Sequence, residues 1–374
     1  MPIANAEANC RVNALIDEVR RPLDLPVHCG ADLPALRERW ANLEAAPVIR
    51  ETREDGVDQS WLGLDVRTFL AGEQSAGQMS MHSIVLAPGS ALPTHYHDQV
   101  ETFVIVVEGE PQLQIGNQIE TGAQFSFAYA PARTRIGFWN NSQAPVWLNL
   151  ICRPAGLERA FAECQNHWTA TQDQNEGTYT EILARYGFRF DDAALENDSR
   201  VNTAITPIEF ELKVEGDLER LREKLNARPA VPRLVHTSQE DVASDGPDVG
   251  FRKRLLGGEE SAGSAMVNFV SRIPPAPNHY QPTEEELFFI LEGKLAMTCG
   301  NASVVLGKGG FAFAPRNCTH GFGPPGPSVD HKFMTLNSPA GHEHAMAALR
   351  RLQKVGITDQ EFREYSSYGG FIIH

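Results

Sequence analysis

The sequence predicts a mainly β chain built as two tandem antiparallel barrels, each flanked by helices. Three observations carry this expectation. The chain is written twice, short apolar runs of strand length recur between turn residues, and helical patterns stand on either side of each set of runs. The duplication is the most informative of the three. His95-Tyr96 in THYHDQVETFVIVVEGE matches His279-Tyr280 in NHYQPTEEELFFILEGK, an offset of 279 − 95 = 184. At that offset Gly109 meets Gly293, Gly116-Asn117 meets Gly300-Asn301, and Pro131 meets Pro315.

The elements follow in order. DLPALRER and DLERLREK recur at an offset of 185, with Leu33, Leu36 and Trp40 in one copy and Leu218, Leu221 and Leu225 in the other. Both read as short amphipathic helices. GEQSAG and GEESAG follow, offset by 186. Then come SIVLAPG, TFVIVVEG, PQLQIG, QFSFAYAP and VWLNLIC, separated by Gly, Pro and Asn. Runs at this spacing predict a sandwich or barrel. After a shared PAG turn, AFAECQ and MAALRRL read as helices. The expected division is an N-terminal half over 1–190 with its barrel at about 60–153, a linker over 191–206, and a C-terminal half over 207–374 with its barrel at about 248–338.

Composition narrows the function classes. The 374 residues carry 33 Lys+Arg against 48 Asp+Glu, a net charge of −15. Such a surface repels nucleic acid and anionic membranes, so a small molecule is the expected partner. No apolar run approaches the roughly 20 residues a membrane span needs. The six cysteines lie far apart without a C-x-x-C. They suit free thiols and a cytoplasmic location. Two barrels in one chain already supply a pseudo-dimer, and association into a homo-oligomer stays open.

The polar residues at the barrel motifs suggest a metal site. Residues two apart on a strand face the same way, so His279 and Gln281, or His95 and His97, can share a site. Alternation through ELFFILEG sends Glu286, Phe288 and Ile290 to one face. A carboxylate facing a barrel interior is costly unless paired or bound to metal. His320 closes the set from a third strand.

These residues and spacings resemble the cupin superfamily, whose motifs run Gly-x5-His-x-His-x3/4-Glu-x6-Gly and Gly-x5-Pro-x-Gly-x2-His-x3-Asn. The C-terminal half gives His279-x-Gln281-x4-Glu286-x6-Gly293 and Gly309-x5-Pro315-x-Asn317-x2-His320. The N-terminal half gives Gly89-x5-His95-x-His97, Gly109, Pro131 and Asn140. The resemblance, to a bicupin, covers nearly the whole chain and implies double-stranded β-helix (jelly-roll) barrels. It also implies one divalent transition metal, Fe(II) by preference with Mn(II), Ni(II) or Zn(II) as alternatives, on His279, Glu286 and His320. Gln281 stands where the family has its second His, either as a weak fourth ligand or as a hydrogen-bonding neighbour.

The N-terminal half departs further. The gapless register puts Thr102 at the carboxylate position (102 + 184 = 286) and Ile136 at the third His (136 + 184 = 320). One competent site is therefore expected. A weak second site of His95, His97 and Glu101 would require a bulge that turns Glu101 inward. Glu284, Glu285, His342 and His344 read as solvated groups, and Cys318 as a buried thiol. His331 has a modest claim to reach the cavity.

Phe288, Ile290 and Phe322 are the expected substrate pocket, apolar and suited to an aromatic or enolic compound. The resemblance to quercetin 2,3-dioxygenase-type bicupins implies an oxidoreductase that uses O2, with Glu286 as both ligand and general base. A metal-dependent isomerase, cyclase or decarboxylase is the alternative, and a non-enzymatic binding protein the third reading.

Overall fold

The computed structural model describes residues 33–191, 193–237, 251–326 and 329–373. Cys10, Cys29 and the expected start of the second barrel at 248 lie outside them. Among the described residues no helix is long and apolar enough to cross a membrane.

Each half forms a barrel of two antiparallel layers. In the N-terminal half the strands Leu64–Leu70, Ser80–Leu86, Val146–Arg153, Glu101–Glu108 and Phe127–Ala130 lie side by side. The facing layer holds Ala91–His97, Ile136–Trp139, Gln112–Ile115 and Gln118–Thr121. Val66, Ile84, Val104 and Leu148 meet Leu92, Leu113, Ile136 and Phe138 between the layers. In the C-terminal half the long strand Glu285–Cys299 serves both layers. Its first part pairs with His331–Ser338 and Phe311–Ala314, its second with Ala302–Gly307 and His320–Gly323.

Alternation explains why ELFFIL and TFVIVV are continuously apolar. Phe288 and Ile290 fill the C-terminal barrel with Phe322 and Phe333. Leu287, Phe289 and Leu291 point the other way, into a separate cluster with Phe69, Met81, Phe103 and Phe127 of the N-terminal half. The larger layers of the two barrels thus pack face to face, and their strands are buried on both sides.

The halves also exchange strands. Val48–Arg50 pairs with Phe311–Ala314 of the C-terminal barrel, and Arg233–Val235 pairs with Phe127–Ala130 of the N-terminal one. The two segments stand 233 − 48 = 185 residues apart, so they are copies of one another.

Helices close the ends as the periodicity predicts, at Leu33–Trp40, Leu157–Thr171, Asp217–Asn226 and His342–Val355. A clip at each PAG turn is repeated in both halves. Glu158 accepts from the backbone N–H of Gly72 at 2.9 Å and of Gly156 at 2.8 Å. Its twin Glu343 accepts from Gly258 at 2.6 Å and Gly341 at 2.9 Å. Beside them Arg159 pairs with Glu73, and His344 stands 3.3 Å from Glu259.

Candidate metal centre

Three strands of the C-terminal barrel bring the centre together. His279 is the last residue but one of Ala276–Tyr280 and the cross-strand partner of His320, the first residue of His320–Gly323. Glu286 lies in Glu285–Cys299, between Ala314 and Asn337. One ligand atom from each of His279, Glu286 and His320 falls within 4.8 Å of the others, and all three residues are buried.

Both imidazoles are oriented from behind. Nδ1 of His279 lies 2.7 Å from the Pro277 carbonyl oxygen, and Nδ1 of His320 lies 2.9 Å from that of Cys318. A ring that donates through Nδ1 presents Nε2 as its lone-pair side. His279 Nε2 is buried and has no hydrogen-bond partner among the described residues. His320 Nε2 lies 3.1 Å from Glu286 Oε2, and that oxygen accepts from Gln281 Nε2 at 2.9 Å. Gln281 thus steadies the carboxylate.

Charge follows from this geometry. Burial pushes the Glu286 carboxyl up, but the hydrogen bond and charge of His320, with His279 beyond, outweigh it and hold the group at about 2. Burial pushes His320 down, and Glu286 reverses this to raise it. His279 is driven by burial to about 3 and stays neutral. An anionic carboxylate and a neutral, unpartnered imidazole nitrogen in one dry site fit a divalent cation.

A further ring of residues surrounds the centre, and here several expectations fail. Glu284 is not a solvated acid: it is fully buried and bonded to Arg222, and burial lifts its carboxyl to about 8 against the pull of that guanidinium. Glu285 is buried as well, 2.7 Å from Arg316 Nε. His342 is buried too, with Nδ1 3.9 Å from Glu284 Oε2, and burial pushes it down to about 4. His344 is only partly exposed, turned toward Glu259. Each acid or imidazole has found a partner distant in sequence, which local polarity does not reveal. The Phe371 ring stacks on His279 with centroids 3.8 Å apart, held by Ile372–Ile373 pairing with Ala276–Tyr280. His331 is buried, with its ring 5.8 Å from that of Phe333.

The expected pocket residues are also placed differently. Phe288 and Ile290 are fully buried and Phe322 nearly so; the rings of Phe288 and Phe322 stand 5.2 Å apart. Phe288 and Ile290 form a packed floor beneath His320, while Phe322 lines an open cavity of about 500 Å³ with Pro275, Asn278 and Met297. An open cavity of about 180 Å³ is lined by His342 itself, with Arg252, Arg254, Met266 and Asn268 among others.

The N-terminal barrel repeats the frame with Thr102 and Ile136 at the positions of Glu286 and His320. His95 and His97 are buried, their rings 5.1 Å apart with Phe188 against both. Ile136 faces His95 as His320 faces His279, and Thr102 faces Ala130 as Glu286 faces Ala314. Glu101 does not join them. Its carboxylate accepts from Tyr129 at 2.8 Å, Ser264 at 2.7 Å and Arg153 at 3.0 Å, at the seam between the halves. No bulge turns it inward, because these three donors already hold it.

A family model described as a cupin domain matches the chain twice, over residues 82–152 and 269–336. The chain is a bicupin of the cupin superfamily. This bicupin is 22% identical over 270 residues to quercetin 2,3-dioxygenase of Bacillus subtilis (strain 168), covering 70% of this chain and 74% of that protein. Among solved structures it is similar to protein Ylba from E. coli, with a TM-score of 0.50 at 11% identity over 82% of this chain and 96% of that one. It is also similar to the oxalate decarboxylase of Lactobacillus farciminis, with a TM-score of 0.49 at 10% identity over 86% and 96%.

The sequence alone missed Arg222, His342 and Phe371 as neighbours of the centre. Arg222 had one usable signal: its twin Arg37 occupies the same helix position, and both donate Nε to the carbonyl of the PAG alanine.

Proposed function

We propose that this bicupin is a metal-dependent oxidoreductase whose single centre holds one divalent transition metal on His279, Glu286 and His320. The observation that carries the reading is the buried, unpartnered Nε2 of His279 within 4.8 Å of a carboxylate oxygen and a second imidazole nitrogen. A bound ion would supply a Lewis-acidic centre at which a substrate oxygen and O2 are brought together. Similarity to a quercetin 2,3-dioxygenase favours dioxygenation of a small enolic or aromatic compound.

The chain's own groups have defined tasks in this reading. Glu286, anionic at neutral pH, takes the proton of a substrate hydroxyl while Gln281 Nε2 holds its carboxylate in place. Phe371 over His279 and the Phe288 floor exclude water, which strengthens each electrostatic contact inside. Arg252, Arg254 and Asn268 in the neighbouring cavity favour a substrate that carries an acidic or enolic oxygen.

Metal analysis tests the ligand set. Glu286→Ala and His320→Ala should each lose the metal through gel filtration, and Gln281→Ala should retain it more weakly. Full occupancy in Glu286→Ala would sink the assignment. Oxygen uptake by metal-replete protein on phenolic and enol-bearing compounds tests the reaction. Turnover without O2 consumption would replace dioxygenation by lyase or isomerase chemistry.

A further inference from the structure

Beside the centre lie two thiols that the proposed reaction does not use. Cys299 ends the long strand Glu285–Cys299 and is the cross-strand partner of His320; Cys318 precedes that histidine by two residues. Their Sγ atoms stand 3.9 Å apart and both residues are buried, Cys318 with 8% of its surface reachable. Cys299 Sγ also lies 3.5 Å from the Phe313 carbonyl oxygen, and Cys318 Sγ 3.7 Å from that of Thr319. Cys318 sits in a turn, not in a ladder: its N–H bonds to the Pro315 carbonyl at 3.0 Å, and the strand resumes only at His320.

We infer that Cys299 and Cys318 form a reversible disulfide that weakens the neighbouring centre when the protein is oxidised. A disulfide needs its sulfurs at about 2.0 Å, so the pair must close by roughly 2 Å, which side-chain rotation and movement of the Cys318 turn supply together. The oxidant is a peroxide. Two S–H bonds and the peroxide O–O bond break, one S–S bond forms, and the two hydrogens and two electrons pass to the peroxide oxygens as two waters. A dithiol reductant reverses the step by exchange.

The link to the centre is one bond long. The Cys318 carbonyl is the group that orients His320 through Nδ1. Drawing Cys318 toward Cys299 shifts that carbonyl, and losing such an outer partner typically costs 10- to 100-fold in metal affinity. This second consequence rests on the metal reading; the cross-link itself does not.

The experiment uses the full chain carrying C10S and C29S, exposed to hydrogen peroxide and then digested without reduction. The expected result is a peptide joining Cys299 to Cys318, a mass loss of about 2 Da, and full reversal by dithiothreitol. The same chain with C299S should show no such loss. Intact thiols, or sulfinic and sulfonic acids at these positions without a cross-link, would overturn the inference. Titration with Mn(II) before and after oxidation reads the second arm. An affinity that falls at least about tenfold and returns on reduction supports it, and an unchanged affinity in cross-linked protein overturns it. A reduced chain that binds no Mn(II) would sink the metal reading, while peptide mapping would still decide the cross-link.

Discussion

The N-terminal barrel should gain a metal site through two substitutions, Thr102→Glu and Ile136→His. The frame is already present: His95 and His97 are buried side by side, and Thr102 and Ile136 occupy the ladder positions of Glu286 and His320. Both positions are sealed, with Thr102 2% and Ile136 1% exposed, so the new groups would find no solvent. Enlarging Thr102 in a packed interior costs about 1–3 kcal/mol. Burying an unsatisfied polar group at each position adds about 1–3 kcal/mol. Without metal the variant should therefore lose about 3–9 kcal/mol, a loss comparable to the whole stability of an ordinary domain. At 1 mM Mn(II), about a thousandfold above a micromolar Kd, binding returns about 4 kcal/mol. The assay is thermal unfolding in EDTA and in Mn(II), with metal per chain measured after gel filtration. The expected outcome is a lowered Tm in EDTA, recovery in Mn(II), and two ions per chain against one in the parent. A folded variant that still holds one ion and gains no more from Mn(II) than the parent would refute the reasoning.

Two further outcomes follow from the clips at the PAG turns. Glu158→Gln keeps one acceptor but sets an amide N–H₂ against a backbone N–H in a fully buried site, so urea unfolding should show a loss of about 2–4 kcal/mol. Glu343→Gln at the less buried twin should lose clearly less, and equal losses would count against the burial argument. Burial pushes the Glu259 carboxyl up, but hydrogen bonds, chiefly from His344, bring it down to about 2 from its ordinary 4.5. A depressed folded-state pKa adds stability that is present above about 4.5 and disappears as pH falls toward 2. The parent should thus exceed Glu259→Gln by about 1–2 kcal/mol at pH 7, with solvent screening allowed for, and the gap should shrink below about pH 4.5 and close only near pH 2. A gap of the same size at both pH values would exclude this origin.

The duplication made much of the fold legible. Alternation through ELFFIL separated Phe288 and Ile290 from Leu287, Phe289 and Leu291, and picked Glu286 from three adjacent glutamates as the inward one. The twin register also identified Thr102 and Ile136 as the places where ligands are missing. What escaped was set by partners distant in the chain. Glu284 is buried because Arg222, 62 residues earlier, reaches it. His342 is covered because the chain end brings Phe371 beside it, ring centroids 5.5 Å apart. The exchanged strands were overlooked because VIR and RLV have three residues each, too few for a period, although their common offset marks them as copies.

That exchange bears on how the chain was able to change. Because each barrel borrows an edge from the other, the molecule has the topology of an arm-swapped dimer fused into one polypeptide. Neither barrel could be discarded without opening the sheet of its neighbour. On the one-centre proposal chemistry is under no such tie: threonine and isoleucine can stand at the ligand positions of one barrel while its frame stays in service. On that proposal the N-terminal barrel serves as a scaffold, and its buried histidine pair keeps, through packing, the symmetry of the duplicated frame.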